Sequence, residues 1–257
     1  MNAIVHAILS GAQKVLGDGF LGMYLYGSLA SGDFDPQNSD IDFVVVTVTE
    51  LSTETISALT AMHARIAAGR SKWATEIEGS YIPQHALRRY DPAHAQHPHI
   101  YRGTGEGESR LIVMQHDSDW VVQRHILREH GVVVVGPDPR TLIDLIHPDD
   151  LRRAGLTFAR QWCTPILRDP DLLRHDGYHA YTVVTLCRIL YTLEHAAIVS
   201  KPVAARWAQR AHAGRWTALI ERALAWDMHW DNVDETLDFM RYTLEHSHHW
   251  ELPGDEI

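Results

Sequence analysis

Apolar residues recur at helical spacing through AIVHAILSGAQKVL, residues 3 to 16, which predicts an opening helix. MYLY (23 to 26) predicts a short buried strand, ended by Gly27-Ser28. IDFVVVTV (41 to 48) is continuous, β-branched and apolar, the pattern of a strand buried on both faces. Between them SGDFDPQNS has loop chemistry. Thr53 to Ala68 predicts a helix with Thr53 as N-cap and Ile56, Leu59, Ala61 and Met62 on one side. KWATEIEGSYIP (72 to 83) predicts a strand stopped by Pro83, and 84 to 109, rich in His, Pro and Gly, predicts a loop. RLIVMQH (110 to 116) follows as a strand, Asp117 to Glu129 as a helix, and GVVVVGPDP (131 to 139) as a short strand closed by Gly-Pro.

After Pro139 the period changes. Residues 149 to 168, 178 to 199, 202 to 213, 215 to 229 and 233 to 249 all carry helical spacing, and few β-rich runs remain. This predicts an α+β protein: an N-terminal α/β domain with a mixed sheet over 1–145, then an all-α helical-bundle domain over 146–257.

Composition narrows the field. The 257 residues are 45% apolar and 22% charged, an ordinary globular balance. The formal net charge of −10 argues against sequence-independent nucleic-acid binding and favours a cationic partner. Cys163 and Cys187 make neither a disulfide framework nor a zinc site. No signal peptide opens the chain, and the most apolar stretch, 180 to 199, contains Arg188, Glu194 and His195. We therefore expect a cytoplasmic monomer without a membrane partner.

The chemistry gathers at YGSLASGDFDPQNSDIDFVVV (26 to 46). Asp40 and Asp42 are two apart where a loop becomes a strand, so both carboxylates project to one face. Two such anions raise each other's pKa unless a cation neutralises them. Mg²⁺ does this with one or two carboxylates, completing its shell with phosphates and water. Gly27 permits close backbone approach, and the Ser28 hydroxyl can meet a phosphate.

Gly-Ser, a spacer and Asp-x-Asp at a strand start resemble the nucleotidyltransferase superfamily related to DNA polymerase β. TEIEGSYIP supplies a third acid, Glu78, with Glu76 as the alternative; IEGSYIP resembles the corresponding segment of the aminoglycoside adenylyltransferases. EHGVVVVGPDP (129 to 139) and YTVVTLCRILYTLEHAAIVSKPVAARWAQR (181 to 210) resemble the interdomain link and helical domain of the streptomycin and spectinomycin adenylyltransferases. The likeness spans about 20 to 245 and is patchy, with gaps between 160 and 180.

The resemblance implies an ATP-dependent transfer of AMP to a hydroxyl of a small cationic aminoglycoside or aminocyclitol. Asp40 and Asp42 would bind two Mg²⁺ ions, and Glu78 would take the hydroxyl proton or join the carboxylate pair around a metal. Arg188 and Lys201 would hold the triphosphate. Asp119 and Tyr242 would face the nucleotide, Ser39 would contact phosphate or the metal shell, and Trp162 would stack near the antibiotic. An apolar helix context supports Arg188, because an unpaired buried charge needs a partner. Two alternatives remain open: the same chemistry on a protein side chain or another small molecule, or a non-catalytic ligand-binding protein of this fold.

Other signals are weaker. GTGEGE (103 to 108) lacks the ending of a P-loop. The histidines at 94, 97 and 99, and at 246, 248 and 249, lack a Cys or acid at ligand spacing and are expected at the surface. Trp207, Trp216, Trp226, Trp230 and Trp250 are expected between helices.

Overall fold

The computed structural model describes residues 1–37, 39–101, 111–174, 177–212 and 214–250, apart from the Asn232 side chain; the GTGEGE segment lies outside them. The chain divides into Met1–Leu145 and Ile146–Ile257.

In the first unit α1 (Asn2–Leu16) leads into β1 (Phe20–Leu25), the short α2 (Gly27–Ser31) and β2 (Ile41–Thr47). Then come α3 (Thr53–Ala67), β3 (Ile77–Pro83), α4 (Gln84–Arg88), β4 (Gln96–Ile100) and β5 (Leu111–Gln115). α5 (Asp119–His130), β6 (Val132–Val135) and α6 (Pro139–Leu142) complete it. The strands form one mixed sheet in the order β5-β4-β3-β2-β1-β6. β2 and β3 are parallel, joined by the crossover through α3; the other neighbouring pairs are antiparallel. Ile8 and Leu59 from the helices meet Met23, Phe43, Val45 and Tyr81 from the sheet in a solvent-free core.

The structure revises several expectations. Ser52, not Thr53, caps α3, its Oγ accepting from the Thr55 N–H at 3.2 Å. The third strand starts at Ile77, after a single turn of 3₁₀ helix at Lys72–Ala74. The expected loop from 84 contains α4 and β4, and His97 and His99 are buried strand residues rather than surface ones. Pro98 between them argues against a strand. The β3–β4 ladder, however, pairs Gly79 with Ile100 and Ser80 with His99 and stops there, so the missing N–H has no β3 partner to fail.

The second unit is helical: α7 (Pro148–Arg168), α8 (Tyr178–His195), α9 (Lys201–Ala211), α10 (Thr217–Leu224) and α11 (Val233–Ser247). α8 is buried from His179 to Cys187 almost without break and is the bundle's central element. Lys201 touches Tyr181 near the start of α8, while Trp207 touches Tyr191 and His195 near its end. α8 and α9 therefore run in the same direction, with 196–200 returning along the bundle. Cys163 and Cys187 are free and buried, and burial pushes the Cys163 thiol up to about 12. Trp216 is buried as expected, but Trp226 is 44% exposed and adopts a left-handed φ of 54°. No helix among the described residues is long and apolar enough to cross a membrane.

Candidate active site

The parallel register of β2 and β3 builds the centre of the site. It pairs Ile41 with Ile77 and Asp42 with Glu78. Paired residues share a face, and neighbouring strands are about 4.8 Å apart, so the two carboxyl groups stand side by side. Asp40 and Glu76 sit just ahead of their strands, where the Ile41 N–H donates to the Glu76 carbonyl at 2.9 Å. Glu76 is thus not on the strand itself, in contrast to expectation.

The turn after β1 closes on this pair. The Tyr26 N–H donates to the Asp42 carbonyl at 3.1 Å. Gly27 follows with φ 61°, and a Cβ there would stand 1.7 Å from Asp42 Oδ2. Only glycine combines that backbone with that approach. The Ser28 Oγ is buried and without a hydrogen-bond partner among the described residues. An unsatisfied buried hydroxyl costs free energy unless something binds it.

Buried Tyr26 reports the charge of the site. Its phenol is raised well above the ordinary value, first by burial and then by Asp42, Glu78, Asp119 and Asp40. Four acids expected from sequence therefore lie near enough to act electrostatically on one phenol. Asp119 opens α5, beside Trp120, whose ring lies 6.2 Å from that of Tyr26. Arg124, one turn on, is buried against the Ala86, Leu87 and Trp120 carbonyls, and burial lowers it to about 10.

Among the described residues no three His, Cys, Asp or Glu side chains form a ready-made metal cage. Two hard carboxylates beside an unsatisfied hydroxyl fit Mg²⁺, which draws its remaining ligands from phosphate and water. Ser39 is engaged in its own loop: its Oγ accepts from the Asp35 N–H at 3.0 Å.

The second unit gathers another part of the expected set. Trp162 packs its ring 5.3 Å from Tyr178 and 5.8 Å from Tyr181, and its buried Nε1 has no hydrogen-bond partner among the described residues. The Lys201 ammonium lies 3.6 Å from the centre of the Tyr181 ring, a cation–π contact. Arg188 is half-buried two turns beyond Tyr181 on the same helical face. Its guanidinium makes no hydrogen bond or ion pair among the described residues, so it is not consumed by a structural salt bridge there. Tyr242 stands apart from this group: its hydroxyl meets His212 Nδ1 at 2.7 Å and its ring contacts Trp216, Phe239 and His246. Tyr178 and Tyr181 escaped the sequence reading; their i,i+3 spacing on a helix was the available signal.

Comparison with known proteins agrees with this architecture. Residues 18–126 match the family model of the nucleotidyltransferase domain, which defines the class of protein. Residues 141–242 match the C-terminal domain of aminoglycoside adenylyltransferase. The chain thus resembles the aminoglycoside adenylyltransferases in its C-terminal domain, carries a nucleotidyltransferase domain ahead of it, and is a nucleotidyltransferase enzyme. It is 28% identical over 213 residues to the aminoglycoside (3'') (9) adenylyltransferase of Klebsiella pneumoniae, covering 79% of this chain and 76% of that one. It is 26% identical over 211 residues to the spectinomycin 9-adenylyltransferase of Campylobacter jejuni, with the same coverage of 79% and 76%. Its fold matches a crystal structure of the spectinomycin adenyltransferase AAD(9) from Enterococcus faecialis with ATP and spectinomycin, at a TM-score of 0.74 and 20% identity, over 95% of this chain and 99% of that chain.

Proposed function

We propose that the protein transfers AMP from ATP to a hydroxyl of an aminoglycoside or aminocyclitol of the streptomycin or spectinomycin class. The observation that carries this reading is the register that sets Asp42 beside Glu78, with Gly27 pressed against Asp42. Asp40 and Asp42 would hold Mg²⁺, which would supply positive charge to offset that developing on the phosphates. Ser28 Oγ satisfies its hydrogen bonding on a phosphate oxygen. Glu78 takes the acceptor's hydroxyl proton as that oxygen attacks the α-phosphorus. The new oxygen–phosphorus bond forms as the bond to the β-phosphate breaks, and pyrophosphate leaves. Arg188 and Lys201 supply positive charge for the triphosphate, and Trp162 with Tyr178 and Tyr181 offers ring faces to a cationic acceptor.

The test is incubation with ATP, Mg²⁺ and a panel of streptomycin, spectinomycin and other aminoglycosides, following pyrophosphate release and the mass of each antibiotic. We expect an antibiotic to gain one AMP, and Asp42→Asn to abolish the gain. No modified antibiotic, with label from ATP entering lysate protein instead, would overturn the acceptor in favour of a protein side chain.

A further inference from the structure

Behind Glu78 lies a buried chain of polar groups that the proposed transfer does not use. Ser80, two residues along β3, faces His99 on β4, and its Oγ is 2.7 Å from His99 Nδ1. The same Oγ is 3.0 Å from Nε2 of His116, just past β5. Ser80, His99 and His116 are all nearly inaccessible to solvent. The His116 ring stacks on Trp120 at 3.6 Å, and burial, then neighbouring His97, His99 and Arg124, push its pKa down to about 2. At the far end His99 Nε2 is buried without a hydrogen-bond partner among the described residues, and Glu78 Oε1 lies 3.5 Å from it.

Proton counting orders this chain. A serine hydroxyl has one proton, so Ser80 donates to one imidazole and accepts from the other. Suppose it donates to His116. Then His116 carries its N–H on Nδ1, which is buried with no hydrogen-bond partner among the described residues, and His99 turns the lone pair of Nε2 toward a carboxylate. A buried orphan donor is the costlier kind of unsatisfied group. Suppose instead that His116 Nε2–H donates to Ser80 and Ser80 donates to His99 Nδ1. Then His99 carries its proton on Nε2, toward Glu78, and the group left over is only an acceptor. The second order satisfies more and opposes nothing.

We propose that His99 is a positioning residue for Glu78. Its tautomer, fixed by Ser80 and His116, aims Nε2–H at Oε1 and leaves Oε2 to take the acceptor's proton. The contact at 3.5 Å closes to a hydrogen bond once substrate orders the carboxylate, as catalytic contacts commonly do. This inference rests on Glu78 being the base.

Two measurements test it. Long-range ¹H–¹⁵N correlation of histidine side chains in the wild-type protein, at about pH 8 where ordinary imidazoles are neutral, needs no acceptor. The Nε2–H tautomer is expected for both His99 and His116; Nδ1–H at His99 overturns the proposal. Kinetics with the accepted antibiotic separate positioning from packing. His99→Leu is expected to lower kcat roughly 10- to 100-fold while KM for ATP-Mg²⁺ stays within about twofold, and His99→Gln, whose amide keeps a donor, to recover most of it. Wild-type kcat in a folded His99→Leu overturns the proposal. Should that variant not fold, Ser80→Ala takes its place, because it breaks the relay while removing a single oxygen. Glu78→Gln distinguishes the two layers. If it is inactive while His99→Leu is fully active, only the relay is wrong; if it is itself active, the base assignment fails and the relay with it.

Discussion

Replacing Gly27 by alanine probes the site's tightest contact. Two penalties are built in, and they can be separated. The backbone at φ 61° is left-handed, which costs a residue with a Cβ roughly 1–2 kcal/mol. The new methyl would also lie 1.7 Å from Asp42 Oδ2, so that carboxylate must retreat by roughly 1.5–2 Å to reach van der Waals distance. A shift of that size in a catalytic group costs on the order of 100-fold in rate. Gly32 is the internal control: its φ is 78°, yet nothing lies within 4 Å of a Cβ there. Gly32→Ala therefore carries the strain alone. Both variants should melt roughly 2–8 °C lower than the parent. Adenylyl transfer, followed as pyrophosphate release, should fall about 100-fold in Gly27→Ala and stay near the parent rate in Gly32→Ala. Equal activities in the two variants would refute the claim that Gly27 sets the position of Asp42.

Acid should unfold the protein early. Burial lowers His63 and His97 to about 4 and His116 to about 2, so all three stay neutral when folded while the unfolded chain takes up protons below about pH 6.5. Their stability is complete above that pH and lost on descent, by roughly 3–4 kcal/mol between about pH 7 and 5.5. A urea midpoint independent of pH across that window would contradict the burial of these rings. Ser28→Ala should raise KM for ATP severalfold with little change in melting temperature, since its buried Oγ has no hydrogen-bond partner among the described residues to lose; an unchanged KM would remove Ser28 from the phosphate site. Arg188→Ala should raise the same KM by roughly tenfold, the worth of one charge-assisted hydrogen bond, and a large drop in melting temperature instead would mark Arg188 as structural.

Much of the site was legible because its signals are local. Gly27, Asp40, Asp42 and the β-branched run behind them announce a turn, a paired carboxylate and a buried strand within about twenty residues. The helical second unit was equally readable from its period. What was misread turned on context. His97 and His99 look like surface residues beside Pro98 and a polar flank, and become core only because β4 lies between β3 and β5. Glu76 and Glu78 are equivalent by spacing, and the register separates them.

The sequence by itself determined the elements, their order and the residue types able to hold phosphate and magnesium, since propensity and periodicity act over a few neighbours. Only the tertiary structure decided which of those residues meet. Strand register, the burial of His99 and His116, and the nearness of Asp40, Asp42, Glu78 and Asp119 to Tyr26 come from pairing between segments distant along the chain. Such pairing is selected by the packing of the whole sheet, and no short stretch of sequence encodes it.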